Sequence, residues 1–419
     1  MIYGSSERDQ LLRADQQTNS MATESLNTQP QSTPSDSAPA TRKILRIFIV
    51  LAIALAGAFL FAARVNPAHM DYISYWSTAK LLVHRADPYS IPGVFSLEKS
   101  TSFSASHPLM MRNPPWALFL VAPLGFLSLR GGLILWILAT GACIVFSVQL
   151  LNPRSKDNAL ALLFAPAIAC FGSGQSSPFL LLGFALFLYL HKRRPFLAGS
   201  ALLFLAFKPH LFLVFWAVLL AESIYRRRFT ILAGLAAALA ITTAFALVID
   251  PHVWPQYIAM LRASALDLEA FPTASMALRL LISPGSTWLL FLPAALAILW
   301  GLWYYFRNRH TWDWTTHGML LMLVTVMGSP YGWFTDEIVL LPAIIFALNL
   351  PHKRAYAGWA LLAINAVAAL IYTAFGASLE SPFLIWTPAA WLAWFLYTTG
   401  KASAKNDALP FSLQGAVAK

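Results

Sequence analysis

Two carboxylates in one aromatic stretch and one lysine inside an apolar run are the residues of this chain best suited to chemistry. Asp71 stands in HMDYISYW and Asp87 in ADPYS, both within NPAHMDYISYWSTAKLLVHRADPYSIPGVFSLEKSTSFSASHPLMMRNPPW, residues 66–116. A carboxylate walled by aromatics and partly dehydrated suits a general base, because desolvation raises a carboxyl pKa toward the working range. The step it fits is taking the proton of a hydroxyl as that oxygen bonds to an anomeric carbon. The plainer role for Asp71 is to cap an interfacial helix expected over 72–83. For Asp87, followed by Pro88 and Tyr89, the plainer role is a turn.

Lys208 sits midway along LLFLAFKPHLFLVFW. An unpaired ammonium in hydrocarbon costs at least about 2.5 kcal/mol, so such a residue implies an anionic partner. A lipid phosphate, Asp71 or Asp336 would serve. Pro209 breaks the helix there and frees backbone groups, as a cavity wall does. Arg112, at the end of the polar insert, suits either a phosphate contact or snorkelling. Gln175, between two short apolar segments, needs a hydrogen-bond partner, either a helix or a ligand. Asp336 and Trp333 lie in SPYGWFTDE (329–337), where an acid at a helix start and a belt tryptophan are the structural alternatives. Tyr72, Tyr75, Trp76 and Trp333 are candidates for packing against sugar faces.

The elements that must position these groups are membrane helices. Of 419 residues, 58% are hydrophobic and 11% charged, against roughly a quarter charged in soluble domains. The net charge of +11 falls in short clusters between apolar runs, which reads as topology signals and lipid headgroup contacts and disfavours nucleic acid. Cys143 and Cys170 lie inside apolar runs and read as buried thiols.

Residues 1–41 are polar and read as a disordered cytoplasmic tail, within which Met21 is a plausible alternative start. A transmembrane domain is expected over 42–400, and a cytoplasmic tail over 401–419. After a first span following Arg42, Lys43 and Arg46 comes the polar loop 66–113. Further spans are expected near 114–129, 131–151, 158–172, 176–190, 195–221, 229–249, 286–306, 315–329, 336–350, 355–375 and 383–399. That makes about twelve, at roughly twenty residues each, with 158–172 and 176–190 a possible re-entrant pair. With the N-terminus inside, Arg226–Arg228, Arg307/Arg309, Lys353/Arg354 and Lys401/Lys405 fall inside. Loops 66–113, 250–283, 329–337 and 376–382 fall outside together. The cluster His191–Arg194 is the exception, landing outside. No internal repeat is evident, which weakens an inverted-repeat transporter reading.

Walker, GxSxG, HExxH and Cys/His metal patterns are absent. Asp267-Leu268-Glu269 is the closest approach to a DxD pair, so a metal-bound nucleotide-sugar donor is disfavoured. A lipid monophosphate sugar needs only cations to steady its leaving group.

The pattern D-Y-x-x-Y-W-x-x-A-K-L-L, then D-P-Y, then N-P-P-W (residues 71–116) resembles glycosyltransferase family 87, which includes polyprenol-phosphate-mannose-dependent α-1,2-mannosyltransferases. The GSGQ segment ending at Gln175, the run 198–209 and S-P-Y…D…L-L-P-A (329–343) fit its later blocks. The resemblance covers roughly residues 44–350. It implies an all-α polytopic GT-C fold with a large first extracytoplasmic loop, Asp71 as catalytic base, Asp87 and Tyr89 as the D-P-Y that follows, and Lys208 as the intramembrane lysine. Where some members carry histidines after S-P-x-x-W, this chain has Thr335-Asp336, which points to a different acceptor or subfamily.

The expectation is therefore an inverting, metal-independent hexosyltransferase of the plasma membrane, with no cofactor. It would move a hexose, mannose first, from a polyprenyl-phosphate donor to a lipid-linked or glycan acceptor. Asp71 is the base, and Asp87, Tyr89, Tyr75, Trp76, Arg112, Gln175, Lys208, Trp333 and Asp336 bind substrate. The rivals are a transporter or lipid flippase and a catalytically dead scaffold subunit.

Overall fold

In the computed structural model the described residues are 52–151, 163–264, 271–350, 356–374 and 382–400. Both tails, the Lys353/Arg354 pair, most of loop 376–382 and the Asp267-Leu268-Glu269 triplet lie outside them. The chain divides into two units, Met1–Ala56 and Gly57–Lys419. Of the first, only 52–56, the start of an apolar helix, is described.

Every regular element among the described residues is helical. In chain order these include α1 (Ala52–Arg64), α2 (Tyr72–Val83), α3 (Ile91–Lys99), α4 (Pro115–Phe126), α5 (Leu129–Leu151), α6 (Ala165–Ser173), α7 (Ser177–Leu190), α8 (Pro195–Phe207) and α9 (Pro209–Arg226). There follow α10 (Thr230–Ile249), α11 (Val253–Ala263), α12 (Ala274–Ile282), α13 (Thr287–Asn308), α14 (His317–Met327), α15 (Leu341–Leu348), α16 (Ala357–Ala374) and α17 (Thr387–Thr399). A 3₁₀ turn, Phe334–Leu340, leads into α15. Among the described residues four helices, α5, α10, α13 and α16, are long and apolar enough to cross a bilayer, and the bent pair α8–α9 brings this to five.

Their surfaces say what surrounds them. α10 has a mean hydropathy of 2.3 over a window that is only 17% buried, leaving Ile241 and Val248 bare. α13 exposes Leu296, Leu299 and Trp303, and α16 exposes Trp359 and Leu370. Apolar faces this extensive are stable against hydrocarbon rather than water. The chain is an integral membrane protein.

Helix association uses small residues as membrane packing does. α8 and α10 cross so closely that a Cβ at Gly199 would overlap the Ile231 carbonyl, and one at Gly234 the Phe196 carbonyl. Ser200 Oγ donates to the Gly234 carbonyl at 3.2 Å across the same contact.

Two expected spans are broken, the first at the expected Pro209. The run 195–221 is no straight helix: α8 and α9 meet at a 118° bend, with Lys208 in a non-helical conformation (φ −131°, ψ 68°). Pro209, lacking an N–H, cannot continue the ladder. The two feet of this hairpin come back together, since Lys192 and Pro195 before α8 and Arg226 and Arg228 after α9 line one cavity. The run 114–129 is likewise short and broken into 3₁₀ and α pieces. It starts at the cavity wall with Asn113 and ends against α2, where Trp76 Nε1 donates to the Leu127 carbonyl at 3.1 Å.

The bend also brings the His191–Arg194 cluster beside the other basic clusters. His191 and Lys192 reach Asp313, and Arg226 Nη2 donates to the Arg309 carbonyl at 3.1 Å. The basic clusters at 191–194, 226–228 and 307–309 share one end of the molecule. Residues from 66–113, 250–283 and 329–337 meet at the other, where Tyr257 Oη donates to the Arg112 carbonyl and Ser275 Oγ to the Ser329 carbonyl. The intervening α7 has 14 residues, about 21 Å of rise.

The helix at 72–83 forms as expected, and protein encloses most of it. Tyr72 through Ala79 are buried, because α4 and α5 pack over it.

Candidate active site

The non-basic end holds a cavity of about 410 Å³, walled by the polar insert, the α6–α7 break, the hairpin apex and the 329–336 loop. Asp71, at the start of α2, leaves that helix uncapped by its side chain. Its Oδ2 instead accepts from Gln175 Nε2 at 2.6 Å. Gln175 is aimed by the turn before it, where Gly174 ends α6 at φ +69°, a left-handed conformation that favours glycine.

The amide orientation of Gln175 follows from its other neighbours. Its Oε1 accepts from Tyr75 Oη at 3.0 Å and from Lys208 Nζ at 3.5 Å. The reversed amide would set N–H groups against an ammonium and an oxygen against Asp71.

Lys208 Nζ donates to Asp336 Oδ1 at 2.7 Å, both side chains being buried. Ser177 Oγ donates to the same oxygen at 2.6 Å, and the Trp333 N–H to Oδ2 at 3.0 Å. Asp336 thus caps the 3₁₀ turn and neutralises the lysine at once. A buried ammonium is tolerable here because it is paired and hydrogen-bonded.

The hairpin apex is tied to the N-P-P-W element. Asn113 Nδ2 donates to the Phe207 carbonyl at 3.0 Å and Trp116 Nε1 to the Ala206 carbonyl at 2.8 Å. These bonds satisfy carbonyls freed where the helix breaks.

Of the residues expected to form a site, Asp71, Tyr75, Arg112, Gln175, Lys208, Trp333 and Asp336 line this cavity. Trp76, Asp87 and Tyr89 do not. Asp87 Oδ1 accepts from the Tyr89 N–H at 2.8 Å, forming the turn, and Tyr89 Oη donates to the Asn113 carbonyl at 2.8 Å. Trp76 is committed to Leu127, and Tyr72 Oη donates to the Leu129 carbonyl at 3.1 Å. These four are struts behind the wall. The two hydroxyls and the indole N–H donate to backbone carbonyls and Asp87 Oδ1 accepts from a backbone N–H, so these polar atoms serve the fold.

His107, Asn113, His210 and Tyr331 also line the cavity, and none of the four is a site candidate from the sequence alone. His210 stacks on Tyr331 with ring centroids 3.8 Å apart. The available signal was its place two residues beyond Lys208 at a proline break. The wall at 105–111 is held from beneath. Glu98, wholly buried on α3, accepts from the Leu109 N–H at 3.2 Å, and Lys99 Nζ donates to the Ala105 carbonyl at 2.7 Å. Burial pushes the Glu98 carboxyl up to about 8 and also raises that of Asp87.

A helical membrane protein whose polar loops close over a carboxylate, an amide and a paired lysine belongs to the class that handles a polar reaction beside lipid. The chain belongs to glycosyltransferase family 87: the model of that family matches residues 112–330, just over half the chain. It is a membrane glycosyltransferase. No curated protein and no solved structure matches it. The matched stretch includes Arg112, Gln175 and Lys208, while Asp71 and Asp336 lie beyond its two ends and are brought to it by folding.

Proposed function

We propose that this glycosyltransferase moves a hexose, mannose first, from a polyprenyl-phosphate donor to a hydroxyl of a lipid-linked or glycan acceptor. Asp71 takes the acceptor's hydroxyl proton while that oxygen attacks the anomeric carbon from the face opposite the phosphate. The C1–O bond to phosphate breaks, its electron pair leaves with the lipid phosphate, and the configuration inverts. Lys208, screened by Asp336, shares the leaving-group charge with Arg112, and the histidines at 107 and 210 add hydrogen-bonding capacity beside them. Trp333, in edge contact with Phe271 (centroids 4.9 Å apart), offers a face for a sugar. Nothing in this scheme requires a metal.

The observation that carries the reading is that Asp71 and Lys208 open onto one cavity with Gln175 between them. A base and an anion-stabilising group must lie on either side of one reacting carbon.

The GT-C class and the orientation belong to the same proposal. Taking the basic end as cytoplasmic, α8–α9 is a re-entrant hairpin and α4 does not cross. These two departures from twelve spans offset one another. His191–Arg194 then falls inside, the downstream loops keep their sides, both termini are cytoplasmic and the cavity faces outward from the plasma membrane.

The test is transfer of radiolabelled mannose from polyprenyl-phosphate mannose by purified protein. Asp71→Asn should abolish transfer while retaining the wild-type melting curve. A variant as fast as wild type sinks the assignment of the base.

A further inference from the structure

The basic end carries a cavity of its own, of about 310 Å³, between the feet of the α8–α9 hairpin and the loop before α14. His191, Lys192, Arg226, Arg228, Trp312 and Asp313 are among its lining residues. Its two acids are already engaged within the wall. Asp313 is held by Lys192 and by the Thr315 N–H and Oγ1, both at 2.9 Å. Glu222 accepts from Trp314 Nε1 at 2.5 Å and faces Arg226 Nε at 3.5 Å. Arg193, Arg194 and Arg227 flank these residues in sequence, so the end as a whole has cations well in excess of its acids.

Two ring nitrogens of residues that line this cavity are enclosed and lack a hydrogen bond. Trp312 is 6% exposed and its Nε1–H has no acceptor. His191, with an 8% exposed side chain, uses Nδ1 on the Leu188 carbonyl and leaves Nε2 unbonded, 3.6 Å from Asp313. A buried N–H without a partner costs about 1–3 kcal/mol, and such groups in native proteins point to an occupant. The flanks of the cavity are apolar and bare, with Phe196, Ile224 and Phe229 46%, 57% and 52% exposed. An anion arriving here therefore comes with hydrocarbon beside it.

We propose that this cavity binds the phosphodiester head group of an anionic phospholipid, with its acyl chains along Phe196, Ile224 and Phe229. Arg228 supplies the charge, and a head group drawn in against Trp312 gives its enclosed indole N–H an acceptor. The bound lipid joins both feet of the hairpin whose apex carries Lys208. The site is independent of the sugar chemistry, since it lies at the other end of α7.

The experiment uses full-length protein in nanodiscs of phosphatidylcholine with phosphatidylglycerol as the minor lipid, followed by native mass spectrometry of the lipids retained. Wild type should keep phosphatidylglycerol over phosphatidylcholine by about tenfold, the size of one charge-assisted hydrogen bond. Trp312→Phe, which keeps the ring and removes the donor, and Arg228→Gln should each reduce that preference severalfold, with sugar transfer in phosphatidylcholine unchanged. Should Trp312→Phe melt early, Arg228→Gln, at an exposed position, carries the test. Equal retention of the two lipids by wild type, or undiminished preference in a folded variant, overturns the proposal. So does displacement of the lipid by millimolar inorganic phosphate, which would make this a site for free anions.

Discussion

Gln175 Nε2 lies 2.6 Å from Asp71 Oδ2, joining residues 104 positions apart, and the same side chain turns its oxygen to Lys208. This single amide bridges the carboxylate on α2 and the lysine at the hairpin apex. It fixes the partner of one oxygen of that carboxylate, Oδ2.

Gln175→Met keeps the volume and removes both ends of that bridge. Transfer should slow by about tenfold to a hundredfold in kcat, the loss expected for an orienting hydrogen bond to a charged group. KM for the donor should change little, because the amide acts on the base. Steady-state kinetics against donor concentration read the split. An unchanged kcat would mean Asp71 needs no orienting partner.

The Lys208–Asp336 pair separates stability from chemistry. Removing one member strands a buried charge, so Asp336→Ala should cost about 3–5 kcal/mol, seen as a lower melting midpoint in detergent. Combining Lys208→Met with Asp336→Leu replaces the pair with apolar side chains and should restore most of that midpoint without restoring transfer. If the double variant transfers sugar normally, the lysine is structural alone.

Glu98 gives the fold a pH dependence. Its carboxyl is raised by burial from an ordinary 4.5 to about 8. Between those values the folded chain holds a proton that the unfolded chain has released, so stability falls as pH rises through this window and levels off above it. The neighbouring Lys99 opposes the rise and does not reverse it. Glu98→Gln, neutral throughout, should flatten the slope of melting midpoint against pH and melt higher than wild type at the alkaline end. Parallel slopes in the two proteins would remove Glu98 from this role.

Much of this arrangement was legible in the sequence. A lysine flanked by apolar residues has to find an anion, and a polar aromatic insert between apolar runs has to gather somewhere wet. Lys208 and the 66–113 insert therefore marked where the candidate cavity forms. The reversal at Pro209 was not legible, because a proline break has the same local signature whether the chain kinks onward or folds back. Only contacts between residues far apart, such as Lys192 with Asp313, distinguish them. Asp87, Tyr89 and Trp76 misled for a related reason. An aromatic or carboxylate that lines a cavity and one that braces the wall behind it have the same composition and spacing, and differ only in which group the polar tip meets. Asp336 was ambiguous because it does both things proposed for it, capping a turn and pairing with a cation.

The crossing of α8 and α10 supplies the last test, of whether the hairpin depends on its outer neighbour. Gly199 and Gly234 lie where each helix meets the other's backbone carbonyl, so any side chain there must push backbone away from backbone. Gly234→Leu should separate the helices, lower the melting midpoint and slow transfer, because α8 carries the apex that presents Lys208. Ala201→Gly, also on α8, lowers helix propensity by about 1 kcal/mol and removes one buried methyl without forcing the helices apart, and controls for a loss of stability that leaves the crossing intact. Size-exclusion profiles and melting curves of the two variants, read alongside transfer, decide the matter. A Gly234→Leu protein as stable and as active as wild type would mean that the close crossing is incidental to the site.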